Sequence, residues 1–168
     1  MKKILAFWLL VLLAACDDGD LQIEVLDFDE STIQFCETAS LGSTIFFKIN
    51  DDEALILELQ SGLLKSEASD GVISSTVPGS SKITYRIFSD KVSKDYFCNE
   101  IPLTEPAVLN EIIAEGGEVL ITTILAEDGE SYEHKIELSG ISLVTENGSR
   151  ITDLRINDYG TITTSIGN

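Results

Sequence analysis

The sequence predicts a mainly β protein, an antiparallel β-sandwich or barrel of about eight to ten short strands with one or two short helices. Two observations support this fold class. Short segments rich in β-branched and aromatic residues recur along the chain, and several of them alternate apolar and polar side chains. Clusters of Gly, Asn, Asp and Ser separate these segments at spacings typical of antiparallel strands.

Four candidate strands come first in this body. Residues 21–25 alternate apolar and polar side chains, as a half-buried strand does, and residues 32–36 form a second short candidate. Residues 44–49 and 54–59 are richly apolar and flank the polar turn 50–53, which predicts a central hairpin. Because their apolar runs are nearly continuous, we expect both faces of this hairpin to be partly covered.

The next segments are less regular. Residues 60–81 are rich in Ser and Gly and predict an irregular connection around one weak strand, 72–77. Residues 82–87 alternate cleanly and therefore predict a strand with Ile83, Tyr85 and Ile87 facing inward.

Two short helices are predicted before the C-terminal third. Residues 89–94 can start a helical turn with Ser89 as its N-cap. After a loop bracketed by Pro102 and Pro106, residues 107–115 are the best helix candidate, and Gly116-Gly117 would end that helix.

The C-terminal third predicts a series of hairpins. Residues 118–126 pair naturally with residues 131–138 across an acidic, glycine-containing turn. Residues 141–145 and 150–157 flank Asn147-Gly148, a type I′ turn signal, and a change in the apolar phase between Ile151 and Leu154 indicates a bulge. Residues 158–160 and a final strand, 161–166, end the chain.

The N-terminal residues have the layout of a secretory signal. Lys2 and Lys3 precede an uncharged apolar run, 4–15, which is shorter than the roughly 20 residues that a membrane-spanning helix needs. Cys16 follows Leu13-Ala14-Ala15, and acidic residues begin directly after it. We therefore expect a signal peptide at 1–15, an acidic tether at 16–20 and a single β-rich domain at 21–168.

Leu13-Ala14-Ala15-Cys16 resembles the lipobox of bacterial lipoproteins, in which a leucine and two small residues precede the cysteine. The resemblance implies that a diacylglyceryl group is transferred to the Cys16 thiol. Cleavage before Cys16 and acylation of its new amino group would follow. Two or three fatty chains hold a protein stably on a membrane, whereas one chain holds it only marginally.

The acidic start 16–20 also resembles the export signal of surface lipoproteins in Bacteroidota. The whole chain is similar in style to short flavobacterial lipoproteins, a class that implies no particular activity. This resemblance implies a lipid anchor in the outer membrane with the domain exposed at the cell surface. A periplasm-facing position is the alternative.

Charge and composition restrict the partners. The chain has a net charge of −18, and removal of Lys2 and Lys3 with the signal peptide leaves −20. Such a surface repels nucleic acid and anionic lipid, so neither is an expected partner. With 43% hydrophobic residues, the body has enough apolar side chains to build a core.

Cys36 and Cys98 are the two cysteines that remain once Cys16 is lipidated. An even number in an exported, oxidising setting favours a disulfide. Two buried free thiols are the alternative. We do not expect this pair to bind a metal, because no His or further Cys lies near either residue in the sequence.

No catalytic motif stands out, and we expect a protein that is not an enzyme and has no cofactor or metal. His134 is the only histidine, and we favour a partly buried or edge histidine on a sheet over a general base. Carboxylates cluster at 27–30, 51–53 and 127–130, but none of these stretches matches a calcium-binding loop. Solvated turns explain them better.

Three functions remain open. The first is a noncatalytic binding or accessory module, held on the membrane by its N-terminal lipid, whose partner is an unknown envelope protein or ligand. The second is an envelope hydrolase, similar to a glycosidase, that uses scattered carboxylates. The third is a structural or assembly subunit that pairs through a sheet edge. Trp8 lies in the signal peptide, so the mature chain lacks the tryptophan that sugar-binding platforms favour.

Overall fold

A computed structural model describes residues 26–145, 148, 150–151 and 157–166. Several features predicted from the sequence lie outside these residues. They are the signal peptide, Cys16 and the acidic tether, the strand at 21–25, the Asn147 position of the type I′ turn, and the bulge before Leu154.

The described residues form eight antiparallel strands and one short helix, which confirms the predicted mainly β class. The elements in chain order are β1 (Ile45–Asn50), β2 (Glu53–Glu58), β3 (Ile73–Thr76), β4 (Lys82–Phe88), α1 (Lys94–Cys98), β5 (Val108–Leu125), β6 (Ser131–Val144), β7 (Arg150–Ile151) and β8 (Asp158–Ser165). Two of the strands are long rather than short, because β5 has 18 residues and β6 has 14.

The strands follow the order β1-β2-β4-β5-β6-β7 in one curled sheet, with β3 beside β5 and β8 beside β6. The first half of β5 pairs with β4 and its second half pairs with β3. The register between β5 and β6 shifts on either side of Gly116, and such irregularities bend a strand. The sheet therefore turns over at this point, and its two halves face each other.

The core lies between these two halves. Phe46, Leu55 and Ile83 are buried on the first half of the sheet, and Val119 and Ile136 are buried on the second half within the same cluster. Successive side chains of a strand point to opposite faces of the sheet, which places these side chains on the face that lines the core. Ile83 and Tyr85 are buried and Ile87 packs against the core, as the sequence predicts.

The outer face of the β1–β2 hairpin is covered by α1. Phe47 is fully buried there, and its ring stacks on Phe97 of α1 with centroids 4.4 Å apart. Ile56 and Phe88 belong to the same cluster. Both faces of this hairpin are therefore covered, which confirms the prediction from its continuous apolar runs.

The predicted helix at 107–115 is wrong, because these residues belong to strand β5. Ile112 and Ala114 are buried, whereas Glu111 and Ile113 are exposed, so burial alternates with a period of two. Thr84 to Phe88 of β4 pair with this stretch through backbone hydrogen bonds. The propensity of its Leu, Ala and Glu residues for helix is overridden by this pairing.

Three smaller predictions are also corrected. The helix begins at Lys94 with Ser93 as its N-cap, so Ser89 does not cap it. Residues 32–36 contribute only an isolated bridge between Gln34 and Phe47. The final strand begins at Asp158 rather than at Thr161, and this strand, β8, pairs with the central strand β6.

Candidate functional site

A cleft of about 620 Å³ opens between the two ends of the curled sheet. One wall is Lys48 of β1, the opposite wall is 158–161 of β8, and residues 29–33 lie between them. Its volume lies within the range of pockets that hold small molecules in proteins. We describe this feature as the Lys48 cleft.

Lys48 is the central side chain of this cleft. It follows Phe46 by two positions on β1, so it projects from the same inward face of the strand. The residue is only 5% exposed, but its Nζ atom is not among the fully buried polar atoms and reaches the solvent of the cleft. The described residues offer this ammonium group neither a hydrogen bond nor an ion pair within 4 Å. Burial lowers the pKa of Lys48, while Asp158 and Asp29 act in the opposite direction.

Tyr159 forms the floor of the Lys48 cleft. The Lys48 Nζ atom lies 6.0 Å from the centroid of the Tyr159 ring, at the limit of a cation–π contact. The ring itself is fully buried, and its hydroxyl donates a hydrogen bond of 3.0 Å to the Leu55 carbonyl. This bond joins β8 to β2 across the core, so it fixes the floor of the cleft in place.

The segment 29–33 is held against both walls. The Ser31 hydroxyl donates to the Ile49 carbonyl at 2.8 Å, and Gln34 exchanges backbone hydrogen bonds with Phe47. On the other side, a side chain added at Gly160 would meet Ile33 at 3.1 Å. This close approach is possible because residue 160 is a glycine.

The rim of the Lys48 cleft is acidic and rich in hydroxyl groups. Asp29 and Asp158 line it with exposed side chains, and both lie close enough to affect the Lys48 ammonium electrostatically. Thr32 and Thr161 add exposed hydroxyls. The cleft therefore presents one cation, carried by a largely buried side chain, together with two solvated anions.

Cys36 and Cys98 form the predicted disulfide, with their Cα atoms 5.1 Å apart. It ties the segment that follows the cleft to the end of α1, on the outer face of the sheet. Cys98 packs against the outer cluster through its partly buried side chain. The disulfide stabilises the cover of the β1–β2 hairpin and does not line the cleft.

His134 is fully buried on the central strand β6, so the prediction of a partly buried or edge position is wrong. Its Nδ1 lies 2.9 Å from the Thr123 hydroxyl and its Nε2 lies 2.9 Å from the Thr164 hydroxyl. Both ring nitrogens are thus used within the core, and burial lowers the pKa of the imidazole. This arrangement is that of a structural histidine.

The acidic clusters differ in their roles. At 127–130, Asp128 accepts hydrogen bonds from the backbone of Glu130 and Ser131 and from the Ser131 hydroxyl, and these bonds, the hydroxyl's first, lower its pKa. At 51–53, Asp51 occupies a left-handed turn position and pairs with Lys91 at 2.8 Å. Among the residues that the structure describes, no group of three or more His, Cys, Asp or Glu side chains has the geometry of a metal site.

A second cavity of about 540 Å³ lies beside the 127–130 turn. Its lining includes Asp128, whose carboxylate is already used to hold the turn. The exposed Ile166 lies at its edge. The cavity thus lacks a buried charge of the kind found in the Lys48 cleft.

Sequence reasoning missed Lys48 and two of its neighbours. A lysine inside the apolar run 45–49, at a position that faces the core, was the available signal. Asp29 was grouped with a solvated acidic turn, and Asp158 was left outside the predicted final strand. The cleft joins segments more than 100 residues apart, and such proximity cannot be read from local patterns.

No protein-family model matches the chain, and neither a curated protein nor a solved structure is significantly similar to it. Within the described ranges, the structure contains no helix with the length and hydropathy of a membrane span.

Proposed function

We propose that this protein is a noncatalytic binding or accessory module of the bacterial envelope, anchored by lipid at Cys16, and that it binds a small polar ligand in the Lys48 cleft. The observation that carries the binding role is Lys48, whose side chain is largely buried while its ammonium group reaches the cleft without a hydrogen bond or ion pair to the described residues.

Lys48 buries most of its aliphatic side chain on the inward face of β1 and keeps its ammonium group at the cleft. Burial still lowers the pKa of this group, because its charge is less well solvated than that of a surface lysine. An acceptor on a ligand would replace part of the lost solvation through a charge-assisted hydrogen bond. A cation in a cleft with room for a small molecule therefore supports a binding role.

The location rests on the N-terminal sequence. The lipobox-like 13–16 stretch and the acidic 16–20 stretch support an outer-membrane lipoprotein exposed at the cell surface, with a periplasm-facing position as the alternative. Leu26 and Phe28, the first described hydrophobic residues, are buried in the core just before the cleft segment. The tether would therefore hold the cleft close to the anchored end of the domain.

The hydrolase alternative draws on Asp29 and Asp158, since two carboxylates that share a cleft are the minimum for glycoside hydrolysis. One member of such a pair must act as a general acid, and burial in an apolar environment is the usual means of keeping that acid protonated. Both side chains are exposed here, and a lysine lies with them. Binding fits this arrangement better.

The assembly alternative would use a sheet edge. In the described part of the chain, β3 pairs only with β5 and β8 pairs only with β6, so each has one side without a strand. Such edges are common recognition surfaces. They are also ordinary features of an open sheet, whereas a buried, unpaired lysine is not.

Lysine acetylation in intact cells tests the binding role without knowledge of the ligand. The same dose of an acetylating reagent is applied to cells and to the purified, dialysed lipoprotein. Mass spectrometry then measures the rate of acetylation at each lysine in the two samples. We expect Lys48 to react at least about fivefold more slowly in cells, because the ligand covers it. Lys82 is the matched control, since it is exposed and pairs with Glu58 at the surface. Equal rates at Lys48 in the two samples would contradict the proposal.

A further inference from the structure

The charge pattern of the Lys48 cleft restricts what it can hold. The Lys48 ammonium reaches the cleft without a hydrogen bond or ion pair to the described residues, and a charged acceptor forms bonds about twice as strong as a neutral one. Asp29 and Asp158 at the rim are solvated and free of ion pairs with the described residues, so they can accept hydrogen bonds from a donor on a ligand. A ligand that engages all three groups carries an acceptor at one end and a donor at the other.

Ligands with one sign of charge satisfy only part of this pattern. A simple anion would bind Lys48 but would meet the repulsion of two carboxylates at the rim and of a strongly acidic protein. A simple cation would be attracted to the rim but repelled by Lys48. Like-charge contacts of this kind discriminate against a ligand by several kcal/mol.

A neutral sugar could form hydrogen bonds with the polar groups of the cleft, but its ring would find no aromatic surface to pack against. Sugar-binding sites usually offer an exposed aromatic face for the apolar side of the ring. Tyr159, the aromatic residue that lines this cleft, is fully buried beneath Lys48. The apolar side chain left on the lining is that of Ile33, which is engaged with Gly160.

We infer that the Lys48 cleft binds a small zwitterion of the amino acid or short peptide class. Its carboxylate accepts hydrogen bonds from Lys48, and its ammonium group lies at the rim beside Asp29 and Asp158. Thr32 and Thr161 contribute exposed hydroxyls around it. This inference rests on the proposed binding function and specifies the ligand for the same cleft.

Ligand-observed saturation-transfer NMR tests the inference on the purified lipoprotein in detergent. The probe is an equimolar mixture of the free amino acids. The comparisons are the N-acetylated amino acids, which lack the ammonium group, the amino acid amides, which lack the carboxylate, and glucose. We expect saturation transfer to at least one free amino acid and at least about tenfold weaker binding of its acetylated and amidated forms.

Variants separate the two ends of the site. Lys48→Met should abolish the transfer, whereas the matched surface variant Lys82→Met should leave it unchanged. Replacing both rim carboxylates, Asp29→Asn and Asp158→Asn, should weaken binding of the free amino acid at least about tenfold. The double variant should then prefer the acetylated form over the free amino acid. Circular dichroism of each variant checks that the β fold is retained.

The outcomes distinguish this inference from the proposed function. Transfer to glucose alone would overturn the inference that the ligand is a zwitterion. Equal binding of the free amino acids and their acetylated or amidated forms would overturn it too. Absence of transfer to every free amino acid would also overturn it. If Lys48 is nevertheless protected from acetylation in cells, the binding function stands with a different ligand.

Discussion

His134 and Lys48 are both buried residues with titratable groups, but the surroundings of those groups differ. His134 has a hydroxyl partner for each ring nitrogen, so its burial costs little. The Lys48 ammonium reaches the cleft and has no hydrogen bond or ion pair with the described residues. The imidazole is therefore fully engaged within the fold, whereas the ammonium is available to a ligand, as the proposed function requires.

His134 makes stability depend on pH. Its folded pKa lies below the ordinary value of 6.5, so the unfolded chain takes up a proton first as the pH falls. The stabilising contribution is complete above pH 6.5 and is lost as the pH falls toward the folded pKa, by up to about 1.4 kcal/mol for each pH unit. Denaturant unfolding at pH 7.5 and 5.5 should show this loss. In His134→Gln, which keeps a hydrogen-bonding side chain but does not titrate, the loss should be smaller. An equal loss in both proteins would refute this role.

At the residue scale, the sequence predicts which side chains are buried better than it predicts which side chains they contact. The inward positions of Ile83 and Tyr85 follow from alternation along one strand, which is local information. The partners of His134 lie on β5 and β8, and Lys48 meets Asp158 from the far end of the chain. Those contacts depend on strand order, which alternation does not determine.

At the scale of elements, strand β5 shows where prediction fails. Its first half contains good helix formers and is followed by two glycines, so the sequence resembles a helix with a C-terminal stop. In the fold those glycines lie in the middle of an 18-residue strand, at the point where the pairing with β6 shifts register. The hairpins 44–59 and 118–138 were predicted correctly because their turns and strands are adjacent in sequence.

Gly117 is required by this bend. It has a φ of +120°, and an added Cβ would lie 2.6 Å from the Ile141 Cδ1 and 2.8 Å from the Ser139 carbonyl oxygen. Gly117→Ala should therefore lower the free energy of unfolding by about 3 kcal/mol, because strain and a backbone clash add. Gly129→Ala is the control, since its φ is +67° and the space around it is open, and it should cost about 1 kcal/mol. Equal effects in urea denaturation would contradict the close approach at Gly117.

The Cys36–Cys98 disulfide joins the segment after the cleft to α1 across a sequence separation of 62. The double variant Cys36→Ala/Cys98→Ala should lower the free energy of unfolding by about 4 kcal/mol, because the unfolded chain gains conformational freedom. Reduction of the unmodified protein should produce a similar loss. A change below about 1 kcal/mol in urea denaturation would show that the bridge contributes little.

At the scale of the whole molecule, the curl of the sheet produces the Lys48 cleft. The sheet curls at the β5 bend, and its opposite ends, β1 and β8, leave a cleft that residues 29–33 partly close. The strongly acidic exterior keeps the domain soluble and repels polyanions.

The proposed role depends above all on the anchor at Cys16. The most direct measurement is metabolic labelling of producing cells with radioactive palmitate, followed by fractionation of membranes. We predict that the unmodified protein carries the label and stays in the membrane pellet, because two or three fatty chains hold it stably. Cys16→Ser should carry no label and should leave the pellet. An unlabelled protein, or a Cys16→Ser variant that remains in the pellet, would contradict the account.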